Sequence, residues 1–385
     1  MLPEHRALVW VFGLGGFAST LATRLTDPLV AVLAQEFDAD PARVALLGTA
    51  FAIPYALVQP ILGPIADAIG KQRVIILGLA FQGLFIVACA FAPALWVLLL
   101  LRALTGIAGG GVFPVTLALF GDRVPLAARQ VAISRFLAFA IAGQMVGGFT
   151  GGLLEPLLGW RGIMVLCGSV SLAAAVIVWR ARAPEPPRRL DFAEAITRYR
   201  FLMTHRPALI LYGSVAAEGV LIFGAFPWFA VHLREAGLGG TREAGLTVAA
   251  FGCGGFLYAA LAPVLVARLG PPRMMRLGGA LAACGLLGFA LAPAAPLFIA
   301  SGLALGCGFF MLHNSLQTRV TEIAPQGRAS AVALHALHFF AGQAAGPPVM
   351  ALGREVIGLP AALALAAGGV VALGWVLGRR RDART

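Results

Sequence analysis

Eight polar residues lie inside long apolar runs, where charge is rarely tolerated: Arg24, Asp27, Arg102, Glu218, His313, Asn314, His335 and His338. An ionisable group in a hydrocarbon setting is costly, and such groups usually mark a solute path or a proton relay. Carboxylates and imidazoles exchange protons, whereas arginines hold anions. Arg24 and Asp27 are three residues apart and share a helix face, as do His335 and His338. The histidines therefore read as a titratable cluster, with ordinary hydrogen-bonded packing as the plain alternative. No carboxylate or thiol has ligand spacing to them, so neither a metal site nor any other cofactor is expected. A nucleotide-binding loop, an HExxH sequence, a catalytic triad spacing and a redox cysteine pair are all missing from the sequence. The chemistry on offer is solute binding and proton exchange, not bond-making, and the chain is not expected to be an enzyme.

The elements that hold these residues follow from composition. Of 385 residues, 59% are hydrophobic and 12% are charged, about half the charged fraction of a soluble domain. The apolar residues form blocks about 20 residues long, which is the length needed to cross a bilayer. Twelve such blocks fall near 8–34, 44–66, 74–92, 95–118, 130–153, 162–180, 208–232, 245–267, 274–292, 295–318, 329–352 and 359–378. The first is too long for the apolar region of a cleaved leader. The expected fold is an all-α membrane protein with twelve transmembrane helices in two six-helix, pseudo-symmetric halves. The expected boundaries are 1–180 and 208–385, with 181–207 as a cytoplasmic linker containing a short amphipathic helix over Asp191–Tyr199.

The net charge of +12 reports orientation rather than a nucleic-acid partner. With both termini placed in the cytoplasm, twenty-one Lys and Arg fall on the inner side and five on the outer. That asymmetry favours cytoplasmic termini in a bacterial inner membrane. The five cysteines sit within apolar runs and read as small packing residues.

The halves repeat. At an offset of 200, Gly70 meets Gly270, Arg73 meets Arg273 and Gly106 meets Gly306. At 199, Pro28 meets Pro227, and Ala142-Gly143-Gln144 meets Ala341-Gly342-Gln343. Parallel six-span repeats are a transporter architecture, with the solute site between the halves near mid-membrane.

Between spans 2 and 3 stands Gly63-Pro-Ile-Ala-Asp67-Ala-Ile-Gly70-Lys71-Gln-Arg73. It resembles the G-x-L-A-D-R-x-G-R-K loop of the major facilitator superfamily, with Ala68 in place of the Arg after Asp. Span 4 carries Arg102-x-x-x-Gly106, which looks like that family's span 4 motif. Span 5 carries Gly143-x-x-x-Gly147-Gly148-x-x-Gly151-Gly152. It is similar to the antiporter motif of the family's drug:proton branch, with Gly148 where that motif has Pro. Close helix packing through small residues reads the same glycines equally well. The resemblance spans the chain and implies alternating access. It also implies gating by Gly63, Asp67, Gly70, Lys71, Arg73, Gly143 and Gly147, with Asp67, Lys71 and Arg73 locking the inner ends of spans 2 and 11 in the outward-open state. Proton coupling is expected at Asp27, Arg102 and Glu218, with Asp27 paired to Arg102, Arg24 or both. Solute contacts are expected at Arg24, Asp27, Arg102, Glu218, His313, Asn314, His335 and His338. Phe223, Phe226, Trp228 and Phe229 read as packing, or as an aromatic wall for an apolar solute.

The function expected is a secondary transporter, acting as a monomer in the lipid bilayer. The first reading is proton-coupled efflux of small amphipathic or drug-like molecules. The second is uptake of a small metabolite or organic anion, which the two arginines would hold.

Overall fold

The computed structural model describes residues 3–183, 192–323 and 328–379. Fifteen α-helices and two short 3-10 turns carry them. In chain order they are α1 (Pro3–Leu21), the turn Asp27–Leu29, α2 (Val30–Glu36), α3 (Pro41–Ile69), α4 (Lys71–Cys89), α5 (Leu95–Gly109), α6 (Val112–Arg123), α7 (Leu126–Leu153), α8 (Glu155–Arg180) and α9 (Phe192–Leu202). Then come α10 (Arg206–Phe223), the turn Phe226–Trp228, α11 (Phe229–Glu235), α12 (Thr241–Leu291), α13 (Ala295–Ile323), α14 (Arg328–Ile357) and α15 (Leu359–Arg379). Helices are what an apolar chain must form in lipid, because they satisfy every backbone donor and acceptor internally.

Twelve spans were expected, and nine helices among the described residues are long and apolar enough to cross a membrane. The difference has three local causes. The 51-residue α12 is continuous only in hydrogen bonding: Gly270 sits at φ 66° and ψ 167° and bends the chain in the middle of it. The expected first span, 8–34, breaks after Leu21 into α1, a turn and α2. The third, α14, is diluted by His335, His338, Gln343 and Arg354. The amphipathic stretch expected at Asp191–Tyr199 is α9, although Asp191 itself lies outside the described residues. Tyr199 on α9 donates to the Pro60 carbonyl at 3.3 Å, which ties α9 to the end of the bundle that carries Gly70, Val124 and Gly270. Lys71, Arg73, Arg123, Arg268, Arg273 and Arg276 flank these positions in the chain, and that end is called the basic end below.

The break in the first span has a readable cause. The Thr20 hydroxyl donates to the Gly16 carbonyl (2.9 Å) and that of Thr23 to the Thr20 carbonyl (2.6 Å). Such back-bonding competes with the helix ladder. Pro28 then removes a donor and restarts the chain as a 3-10 turn. Pro227 does the same, and α2 (30–36) and α11 (229–235) follow at the 199-residue offset.

The repeat extends to tertiary packing. A Cβ on Gly106 would strike the Phe51 carbonyl, and one on Gly306 the Phe251 carbonyl. Gly143 lies on the Phe17 carbonyl as Gly342 lies on that of Ala216. Gly147 and Gly346 likewise approach the carbonyls of Leu21 and Val220. Each pair obeys the 199 or 200 offset, so the two copies share helix contacts as well as helix lengths.

Candidate functional site

The two copies meet away from the basic end. Thr49 on α3 donates to the Ala344 carbonyl on α14 at 2.6 Å. Gly148 faces Val248, and the backbones of Gly152 and Gly245 nearly touch where α7 crosses α12. The two 3-10 turns also pack against each other, and Arg234 donates to the Ala31 carbonyl (3.4 Å). The far end of the molecule is thus closed along a continuous seam.

Arg24 sits at the inner edge of that seam, where the broken first span exposes its side chain to the interior. It is 8% accessible and pairs with Asp27 at 3.3 Å. Its other terminal nitrogen donates to the Gln343 side-chain oxygen on α14. The guanidinium lies over the rings of Phe223 (4.1 Å) and Phe226 (4.9 Å). A cation in this setting gains from the ring faces and loses hydration, a balance that favours an anionic partner. Two small cavities, each of about 10 Å³, flank Arg24. Each holds roughly one water, so the chamber is collapsed around the guanidinium.

Of the two expected partners for Asp27, the structure selects Arg24. Arg102 is fully buried, donates to the Ala22 carbonyl (3.1 Å) and lies 4.6 Å from the Phe51 ring centre. Its Nε and second terminal nitrogen have no partner. Ala22 carries one of the carbonyls freed by the helix break, so Arg102 caps the break instead of closing an ion pair.

Glu218, which the sequence presents alone, is paired. Its Oε2 lies 2.7 Å from His313 Nδ1, bridging α10 to α13. The His313 ring centre is 5.3 Å from that of His335. Glu218 Oε1 and both ring nitrogens of His335 are buried without partners. His338 faces differently: its Nδ1 donates to the Leu334 carbonyl (2.7 Å), and its ring stacks on Tyr212 at 4.9 Å. Asn314 lies beside Tyr258. Among the described residues no group of three or more His, Cys, Asp or Glu is arranged to hold a metal.

Phenylalanines join the two polar groups. Phe223 touches Phe309 (5.0 Å) and Phe339 (5.6 Å), and both of those touch His313, at 4.9 and 4.5 Å. The aromatic cluster expected within span 7 is therefore wider than one helix. Phe251, Phe309, Phe339 and Phe340 come from three other helices and carry no local signal that would gather them. Gln343 also went unmarked as a site residue, although its place in the repeat opposite Gln144 was legible, and Gln144 lines one of the Arg24 cavities.

In the loop motif, Lys71 Nζ donates to Asp67 (2.5 Å) and to Asp122 of α6 (2.8 Å), whereas Arg73 is exposed. Gly70 adopts φ 103°, which needs a glycine, and Gly63 faces open space. In this conformation, closed at the far end, Asp67 is held within the first copy by Lys71.

Similarities to known proteins agree with this architecture. The sequence profile described as Major Facilitator Superfamily matches residues 12–347. The gallate transporter of Pseudomonas putida is 27% identical over 297 residues, which are 68% of this chain and 65% of that protein. The MFS-type transporter YwfA of Bacillus subtilis is 25% identical over 94% of this chain and 89% of its own. The niacin transporter NiaP of Acinetobacter baylyi is 29% identical over 45% of this chain and 40% of that one. Against the first of these the chain spans just under two thirds of the relative's length. In fold, the chain resembles the nucleoside transporter NupG (TM-score 0.78, 12% identity, 96% of this chain and 98% of that one). It also resembles an inward-facing bacterial homologue of the lysosomal transporter Spinster (TM-score 0.72, 18% identity, 98% and 96%).

Proposed function

The chain belongs to the Major Facilitator Superfamily, and from that premise we propose that it carries a small organic anion with an aromatic body, bound through its carboxylate at Arg24. It is a transporter and not an enzyme. One observation carries the reading: a buried guanidinium held between acceptors from both copies and lying over two phenylalanine rings. A carboxylate is a stronger acceptor for arginine than an amide, so it would displace Gln343. Phe223 and Phe226 would then meet the apolar body. Gallate and niacin, named for two relatives, are both aromatic carboxylates.

The same geometry gives a coupling rule. Asp27 and the solute carboxylate compete for Arg24. A proton on Asp27 frees the guanidinium, so proton and anion bind cooperatively and move in the same direction. This favours proton-linked uptake, with Arg102 and Glu218 as further coupling groups. Efflux in exchange for protons, the other reading, rests on the glycine run of α7. Close packing on the broken first span, Gly143 and Gly147 on α1 and Gly151 on Leu25 and Pro28, accounts for these glycines without invoking transport direction.

The reading further holds that the broken first span, the two arms of α12 and α14 complete twelve spans. It places the halves at 1–180 and 208–385, joined through 181–207. It assumes a monomer in the bacterial inner membrane with both termini in the cytoplasm, and a hinge at Gly63, Asp67, Gly70, Lys71 and Arg73. The test is transport into proteoliposomes under an imposed pH gradient, using labelled benzoate and niacin. Accumulation on the alkaline side that is faster than, and goes beyond, that of protein-free liposomes, which the neutral acids cross unaided, supports the reading. Movement of the solute against the proton flow, or no interaction with either acid, overturns it.

A further inference from the structure

We propose that Glu218, His313 and His335 form a second polar pole of the solute chamber, selecting aromatic acids that carry a hydroxyl at the end remote from the carboxylate. The proposal rests on the anion reading of Arg24. Its own support is independent of that arginine. Glu218 and His335 are 0% and 2% accessible, yet Glu218 Oε1 and both His335 ring nitrogens lack partners. Buried polar atoms are ordinarily paired, and each exception calls for an explanation. The Oε1 is an acceptor, and whichever His335 nitrogen is unprotonated is another.

A run of aromatic contacts joins these groups to Arg24. Phe223 lies under the guanidinium, and Phe309 and Phe339 lie between Phe223 and the His313 ring. A chamber with a cation at one end, phenyl walls and acceptors at the other is complementary to a hydroxylated aromatic carboxylate. His313 holds Oε2 of the glutamate and so fixes which oxygen is left for the solute. A single hydroxyl can donate to Glu218 Oε1 and accept from the protonated nitrogen of His335, and a solute without it would leave both groups buried and unpaired. A site built to hydrogen-bond a hydroxyl discriminates strongly against analogues that lack it.

The experiment measures equilibrium binding of 4-hydroxybenzoate, benzoate and 4-methylbenzoate to purified protein in detergent, for the wild type and for Glu218→Leu and His335→Phe. Retained monodispersity on size exclusion reports the fold of each variant. In the wild type, 4-hydroxybenzoate is expected to bind about 10-fold or more tightly than 4-methylbenzoate. In each variant that ratio falls toward one through loss of 4-hydroxybenzoate affinity, while 4-methylbenzoate affinity stays within about 2-fold, a change too small to signal a lost contact. Equal affinity for the two acids in the wild type overturns the second pole and leaves the Arg24 reading standing. An unchanged preference in both variants does the same. Failure of all three acids to bind overturns both.

Discussion

Arg24 and Gln343, 319 positions apart in the chain, are joined by a hydrogen bond between the broken first span and α14. The bond places the guanidinium proposed to hold the solute under partial control of the second copy. Any rearrangement that separates the copies must break it or replace its acceptor. Loading the site and moving the copies therefore draw on the same contact.

The first prediction concerns that contact. Arg24→Ala is expected to weaken binding of aromatic carboxylates by about 30-fold or more, the range for a buried charged hydrogen bond of about 2 kcal/mol or above. Gln343→Ala removes a competitor as well as a clamp, so its effect on affinity is expected to be about 3-fold or less in either direction. Titration calorimetry distinguishes them. Equal losses in the two variants would refute the assignment of the anion to Arg24.

Asp27 sets the second. Asp27→Asn keeps the shape beside Arg24 and removes the exchangeable proton. Counterflow exchange of labelled solute should persist, whereas accumulation driven by a pH gradient should be lost. Accumulation at the wild-type level with an unchanged pH profile would exclude Asp27 from coupling.

The third concerns the shared packing of the repeat. Gly147→Val drives a branched side chain onto the Leu21 carbonyl, and Gly306→Val does so onto that of Phe251. Each is expected to destabilise by about 1–3 kcal/mol or to prevent assembly, read as a lower melting temperature in detergent. Gly121→Ala faces open space and should melt within about half a kcal/mol of the parent, as surface changes usually do.

The fourth addresses the basic end. Lys71 has two carboxylate partners at 2.5 and 2.8 Å. Asp67→Asn should therefore leave Lys71 anchored to Asp122 and lower the transport rate only in part. The Asp67→Asn/Asp122→Asn double variant should lower it by more than the two single losses combined. Strict additivity would mean that the two carboxylates act independently of Lys71.

Much of this was legible in the sequence. Gly70 with Gly270 and Pro28 with Pro227 marked the repeat, but the first span was expected unbroken over 8–34, so the break before Pro28 came only with the fold. The polar residues stood out, since an apolar run makes every charge conspicuous. Partnerships were harder to read. Arg102 and Asp27 lie at similar depth, but depth does not reveal that Arg102 turns to the Ala22 carbonyl. Glu218 read as solitary because His313 is 95 positions away. The aromatic wall was hidden for the opposite reason: phenylalanine is common in any span, and only the fold decides which rings face one another.

The seam where α7 crosses α12 brings uncharged groups together, Gly148 on Val248, Gly152 on Gly245 and Met145 on Gly252. Contact between surfaces of that kind depends on shape, with little contribution from charge. Ionic strength should therefore have little hold on this closure, whereas a single added methyl group should wedge it open. The barrier on that side works as a fitted joint, and its tolerance is about the width of a hydrogen atom on four residues.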